Sequence, residues 1–340
     1  MTQEARGVDA SGANKTVGRK GMTDRTQRRI GVGGQVGPIG LGCMSMSWGY
    51  DRGHWDEAAS IAVIHRALEL GVTLLDTADA YGPFTNEKLV GRAIAGRREQ
   101  AFVATKVGLV VDGALNYHRN GRPEHIYGAC DASLARLAVD HIDLYQLHRV
   151  DPAVPIEDSV AAMSQLVTAG KVRAIGLSEV SVDEASRANA VHPISSIQSE
   201  MSLWTRDARD NGTLDWCAQQ GAAFLAYAPL GRGFLTGNIA SRHDLPGDDW
   251  RRDNPRFTDQ AIQANAALVD TVRDIAAQHA ATPAQVALSW LLHQGDHVIP
   301  IPGTKTLRYL EQNAGAATVP LQPEELATLN SLAPAVGSRY

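Results

Sequence analysis

The chain has 340 residues, 44% hydrophobic and 20% charged, with a formal net charge of −5. That length and apolar content suit one large barrel domain or two ordinary ones and argue against wholesale disorder; the acidic balance offers no basic footprint for nucleic acid and no polybasic membrane patch. The three cysteines, Cys43, Cys130 and Cys217, are far apart with no CxxC pair, which disfavours a disulfide framework or zinc cluster and fits a reducing cytoplasm.

Residues 1–27 are polar, without periodicity, and lack the apolar centre of a signal peptide. They read as a disordered leader or a start-site artefact, with Met22 as an alternative start. No apolar run approaches the roughly 20 residues that span a bilayer. Residues 28–335 read as a single domain. Its first segment, RRIGVGGQVGPIG, predicts a β-hairpin around Gly-Gly. Short apolar runs then alternate with amphipathic ones. Strands are predicted at 39–44, 72–77, 101–106, 141–148, 172–178, 195–200, 222–230 and 296–303. Helices are predicted at 56–70, 86–95, 123–137, 156–169, 182–190, 212–219, 259–279, 283–292 and 306–314, with a further terminal helix at 324–332. The polar stretch 231–256 carries no predicted element. Eight strands separated by helices indicate α/β architecture, a (β/α)8 TIM barrel with an N-terminal hairpin and a C-terminal extra helix. A doubly wound sheet would need GxGxxG directly after its first strand; GVGGQVG precedes that strand and lies in the hairpin.

In such a barrel, chemistry belongs at the C-terminal ends of the strands. Asp76 in LLDTADAYG, Lys106 in FVATKVG and His148 in DLYQLHRVD end the second, third and fourth strands, and Tyr81 follows Asp76 in its loop. Singly, each has an ordinary reading as a cap, a solvated strand end, a core histidine or a loop aromatic. Their coincidence at one rim suggests a proton-donating device. Hydride attack on a carbonyl puts negative charge on oxygen, and a phenol with a pKa of about 10 is a reluctant donor and base. A neighbouring ammonium stabilises phenolate, a carboxylate holds the ammonium, and an imidazole can orient the carbonyl. His141, Asp140 and Asp143 read as structural, and no HxH or HExxH spacing supports a metal.

These segments resemble the bacterial and plant NADPH-dependent aldo-keto reductases. GLGCM, LLDTADAYG, TKVG, DLYQLH, AIGLSEVS, IQSEMSLW, AYAPLGRGFLTG and IPIPGTK occur in order over roughly 280 residues. The resemblance implies an NADPH-dependent reduction of aldehydes or ketones with Asp76, Tyr81, Lys106 and His148 as the catalytic tetrad and Tyr81 as general acid. His148 favours an active enzyme, because some regulatory relatives carry Asn there. The resemblance further implies an extended nicotinamide dinucleotide (NADPH/NADP+) across the rim. Gly42, Cys43, Met44 and Asp76 would border it. Ser178 and Gln198 would meet the carboxamide, and Tyr227 would stack on the nicotinamide. The backbone of Ala228, Pro229, Leu230, Gly231 and Arg232 would approach the pyrophosphate. Gly303, Thr304 and Lys305 precede a helix N-terminus suited to an anion; Thr304, Lys305 and Arg308 would take the ribose phosphate, and Gln312 and Asn313 the adenine. Two positions depart from the family pattern: Glu179 stands where Asn is usual, and Tyr309 where many relatives have Arg. Met44, Trp48, Tyr50, Trp204 and Trp250 are expected to wall a pocket for a small carbonyl compound with apolar or aromatic substituents. A nucleotide-binding, redox-sensing regulatory subunit and a cofactor-independent barrel lyase or isomerase stay open as rivals; oligomeric state is not legible.

Overall fold

The computed structural model describes residue 2 and residues 27–50, 55–113 and 116–339, so the expected leader lies, apart from residues 2 and 27, outside the described residues. A hairpin opens the fold, β1 (Arg28–Ile30) antiparallel to β2 (Gly34–Val36). There follow β3 (Leu41–Gly42), α1 (Glu57–Glu69), β4 (Leu74–Asp76), α2 (Thr85–Ile94) and β5 (Phe102–Val107). A second hairpin, β6 (Leu109–Val111) and β7 (Tyr117–Arg119), precedes α3 (Pro123–Leu137), β8 (Ile142–Leu147), α4 (Ile156–Thr168) and β9 (Val172–Ser178). The chain continues through α5 (Val182–Val191), β10 (Ile194–Glu200), α6 (Asp207–Asp210), α7 (Thr213–Gln220) and β11 (Ala223–Tyr227). It ends with α8 (Asp259–Ala264), α9 (Ala266–Gln278), α10 (Pro283–Leu292), β12 (Val298–Pro300), α11 (Leu307–Ala314) and α12 (Pro323–Ser331).

The large sheet has eight parallel strands in the order β12-β11-β10-β9-β8-β5-β4-β3. Gly40 N–H donates to Pro300 O at 3.0 Å and Gly42 N–H to Pro302 O at 3.2 Å, joining the first strand to the last and closing the barrel. Helix starts follow their local chemistry. Asp56 accepts from Ala59 N–H at α1, reciprocal capping boxes form at Ser181/Glu184 and Thr282/Gln285, and proline opens α3, α10 and α12.

Alternation along the strands decides what reaches the mouth. In β5, Phe102 and Ala104 face the barrel interior and Lys106 comes next on the same face; Leu74 leads in this way to Asp76, and Leu144 to Gln146 and His148. The interior cluster of Leu74, Phe102, Ala104, Leu144, Ala174, Ala223, Leu225, Ile299 and Ile301 is sealed at the N-terminal end by Ile30 and Val36 of the first hairpin. The apolar stripe thus fills the barrel, and the polar residue ending each stripe stands above it.

Several expected boundaries change. The strand at 39–44 is paired as a strand only at Leu41–Gly42, because a 3-10 turn at Met44–Met46 bends the chain across the mouth. The strands expected at 222–230 and 296–303 shorten to β11 and β12; Ala228 takes a left-handed φ of 46° that ends the first. The helix expected over 259–279 is two, divided at Asn265, whose side chain bonds Ala261 O and both backbone polar groups of Val336. Segment 231–256, together with Phe257, is a chain of short 3-10 turns. Hairpin β6–β7 was not expected, since three-residue strands leave little periodicity to read. No described helix is long and apolar enough to cross a membrane.

Candidate active site

Four side chains converge at the mouth. Lys106 Nζ donates to Asp76 Oδ1 at 2.6 Å, to Thr77 O at 2.8 Å and to Tyr81 OH at 3.2 Å, which uses all three ammonium hydrogens. The ammonium is wholly buried and Asp76 nearly so. Asp76 Oδ2 accepts from Gln198 Nε2 at 2.7 Å and from Gln146 Nε2 at 3.3 Å, so the carboxylate is held from both sides. The Tyr81 ring meets the His148 ring edge-on at 5.8 Å. His148 Nδ1 is buried with no hydrogen-bond partner among the described residues.

The electrostatics are a contest. Burial raises the Tyr81 pKa; the Lys106 charge lowers it, and burial wins. The expectation that Lys106 makes the phenol more acidic than usual is therefore corrected: the ammonium limits a rise that burial imposes. For Lys106, burial works to lower the pKa, but the charges of Asp76 and Tyr81 outweigh it and the net shift is upward. His148 is held well below the usual imidazole range by burial, then by Lys106 and Arg149, and is neutral at pH 7.

The Tyr81 loop is tied down by α2. Asn86 Nδ2 donates to Cys43 O at 2.9 Å and Ser47 Oγ at 2.7 Å, and Asn86 Oδ1 accepts from Thr77 Oγ1 at 2.7 Å, joining the loops after β3 and β4.

The residues expected around a dinucleotide fall into several environments. Gly42 pairs with Asp76 and Gly303 across adjoining strands, and Met44 is half-buried beside them. The Cys43 side chain is buried with Sγ against Leu41 O, leaving its backbone for the mouth. Ser178 Oγ accepts from Arg149 Nη1 at 3.1 Å. The Gln198 amide is committed to Asp76. Tyr227 is half-buried at the end of β11, followed by Ala228, Pro229 and Leu230. Gly231 has a φ of 57° and a Cβ there would sit 2.8 Å from the Trp204 ring, so the packing beneath demands glycine. Arg232 is paired with Glu200 at 2.9 Å, both side chains under a tenth exposed. Beyond β12, Gly303 is exposed, Thr304 Oγ1 accepts from Thr306 N–H, Lys305 is half-buried, Arg308 and Tyr309 are exposed, Gln312 is half-buried and Asn313 is buried. α11 has no side-chain cap and no acidic residue in its first turn.

Of the expected pocket residues, Trp48 donates through Nε1 to Tyr117 OH at 3.1 Å, bringing β7 to the mouth. Tyr50 faces Trp250 at 5.8 Å, and Arg232 and Arg251 lie 4.9 Å from the Trp250 and Tyr50 rings respectively. Burial pushes the Tyr50 phenol up to about 12. Trp204 is no pocket wall. It is buried, stacked on Phe234 at 4.2 Å and edge-on to Phe257, and so forms core beneath segment 231–256.

Residues 38–334 match the Aldo/keto reductase family. The chain is 40% identical over 317 residues to the Probable aldo-keto reductase 1 of Glycine max, covering 92% of this chain and 91% of that one. The glycerol dehydrogenase of Gluconobacter oxydans superimposes with a TM-score of 0.84 at 31% identity, covering 90% of this chain and 94% of its own. An aldo-keto reductase of Klebsiella pneumoniae in complex with NADPH superimposes with a TM-score of 0.70 at 26% identity, covering 92% and 98%. The chain belongs to the aldo/keto reductase family. It is therefore a member of an oxidoreductase family, with a (β/α)8 core.

This aldo/keto reductase also buries a polar cluster that sequence reading missed. Beneath the Tyr81 loop, Glu87 accepts from Thr105 Oγ1 at 2.6 Å and from Arg136 Nε at 2.6 Å. Asp79 lies alongside, its Oδ1 without a hydrogen-bond partner among the described residues, bordering a cavity of about 210 Å³. Burial, then the Glu87 charge, pushes the Asp79 carboxyl up to about 8. A folded pKa above the unfolded one means that the native state binds more protons between about pH 4 and 8. Asp79 therefore contributes stability at the acid end of that window that is lost as pH rises through it. Asp79→Asn, which keeps the shape of the neutral acid, is expected to raise the melting temperature at pH 8–9 relative to the parent and to change it little at pH 4. Thermal melts across that range check this; parallel profiles for the two proteins would refute it.

Proposed function

We propose that the protein reduces aldehydes or ketones to alcohols with NADPH, Tyr81 giving the proton to the carbonyl oxygen. The observation that carries this reading is the chain of buried contacts from Asp76 through Lys106 Nζ to Tyr81 OH, 2.6 and 3.2 Å long. Its value lies in the reaction's charge change. Oxygen becomes negative as hydride arrives, and a proton held at the Tyr81 oxygen neutralises it. Lys106 stabilises the phenolate left behind, and Asp76 with its two amides keeps Lys106 in place when that negative charge appears. Neutral His148, edge-on to the Tyr81 ring, can hydrogen-bond the same carbonyl and orient it. The dinucleotide supplies hydride when bound.

The residues present suit such a group. α11 offers an uncapped N-terminus without a competing carboxylate, with Thr304, Lys305 and Arg308 around it. Tyr227 presents a half-buried ring at the other end of the rim. Lys305 and Arg308 favour a phosphorylated ribose, and the NADPH complex of the Klebsiella relative supports that choice.

The test is NADPH oxidation followed by absorbance with a panel of 4-nitrobenzaldehyde, methylglyoxal and 9,10-phenanthrenequinone. Turnover on at least one is expected, and Lys305→Ala should weaken NADPH roughly tenfold or more while NADH changes little, as loss of a charged hydrogen bond implies. Tight NADPH binding without turnover on any carbonyl would favour the regulatory reading instead; equal losses for the two dinucleotides would sink the ribose-phosphate assignment.

A further inference from the structure

Glu179, where the family pattern has Asn, sits directly after β9 with a φ of 53°. Asn tolerates that left-handed conformation better than Glu does, so glutamate here carries a backbone cost that something must offset. Its carboxylate has two partners. Oε1 accepts from Glu200 N–H at 3.0 Å, and Oε2 accepts from Arg339 Nη2 at 2.5 Å. Arg339, one residue from the end of the chain, also faces Glu200 at 3.8 Å and Asp207 at 4.0 Å.

The segment leading to Arg339 is anchored along its course. Val336 donates to and accepts from the Asn265 side chain, Gly337 O accepts from Arg256 Nε at 3.2 Å, and Arg339 O accepts from Asn254 Nδ2 at 2.9 Å and Arg232 Nη1 at 3.3 Å. The tail thus runs from the α8–α9 junction across segment 231–256 to the ends of β9 and β10. Arg232 is bonded on both sides there, one amino group on Glu200 and the other on the Arg339 carbonyl. Tyr227 is near enough to Arg339 to interact with its charge. Arg232, expected near the dinucleotide, is therefore bonded to the tail, Tyr227 lies within range of the Arg339 charge, and Arg339 itself is neutralised by carboxylates.

We propose that residues 336–339 form a latch that competes with the dinucleotide for the rim around Tyr227 and Arg232, held shut by the Glu179–Arg339 pair. Glu179 and Arg339 are then determinants of cofactor affinity, and Glu179 stands in place of Asn because it anchors the tail. This inference rests on the cofactor placement proposed above. Binding draws on the unlatched fraction, so apparent affinity is reduced by that fraction. An ion pair with both side chains about a fifth exposed is weakened by salt, so the effect should shrink as ionic strength rises.

The experiment measures the NADPH dissociation constant of the full chain, of a chain ending at Ala335, of Glu179→Asn and of Lys305→Ala, at low and high salt. Truncation should tighten NADPH roughly tenfold at low salt, an open fraction of about one in ten. Glu179→Asn, which keeps every other tail contact, should shift affinity the same way by a smaller factor. Both differences should narrow at high salt. If Lys305→Ala weakens NADPH while truncation and Glu179→Asn leave it unchanged or weaker, the latch is wrong and the cofactor placement survives. If none of the three variants changes NADPH affinity, the placement fails and the latch fails with it.

Discussion

Tyr81→Phe is expected to slow carbonyl reduction by about 10²–10⁴-fold, the usual contribution of a positioned general acid, while the NADPH dissociation constant stays within about twofold. The substitution removes one oxygen and little else. A phenylalanine ring can keep the edge-on contact with His148, and Lys106 keeps Asp76 and the Thr77 carbonyl as partners. The loop keeps its tie through Asn86. Steady-state rates with 4-nitrobenzaldehyde and a fluorescence titration with NADPH separate the two quantities. A rate within a few-fold of the parent would remove Tyr81 from the chemistry; a large loss of affinity with an intact rate would make it a binding residue.

Lys106→Met is expected to cost both turnover and stability. Methionine matches the length of the stem but brings no charge. Asp76 is 3% exposed and would be left as a buried carboxylate supported only by the Gln146 and Gln198 amides. Removing one partner of a buried pair typically destabilises by about 3–5 kcal/mol. The phenol would also lose the charge that opposes burial, so its pKa should climb further and its phenolate become harder to form. Denaturant unfolding and kcat are the two readouts. Adding Asp76→Asn to Lys106→Met should recover part of the stability, because no uncompensated charge remains, and none of the turnover. An additive double variant would contradict the coupling.

The candidate site was legible because barrel geometry enforces a simple rule. Side chains two apart on a strand share a face, so the polar residue ending an inward stripe must stand over the core; Asp76, Lys106 and His148 all obey it. The same rule points to Gln146, two residues before His148, yet a lone glutamine in an apolar run carries no chemical signature until Asp76 is found beside it. Glu87 and Arg136 lie on different helices, 49 residues apart, and nothing in either helix announces the other. Trp204 misled because an aromatic in a loop after a strand reads as a pocket wall; only the stack on Phe234 shows it to be core. Asp259–His279 read as one helix since Asn265 breaks it through a bond to Val336, far along the chain. The tail's role was invisible for the same reason. Glu179 registered as a departure without a cause, and its partner lies 160 residues away.

Which group surrenders the proton is tested most directly by the pH dependence of the reduction rate at saturating NADPH. Burial places the Tyr81 titration above the ordinary phenol value and the His148 titration well below the ordinary imidazole value. With Tyr81 as the donor, the rate should be level from about pH 6.5 to 9 and fall only in the alkaline range where phenols ionise. A rate that drops steadily as pH rises through the acid range, following an imidazole, would contradict the account and move the proton to His148.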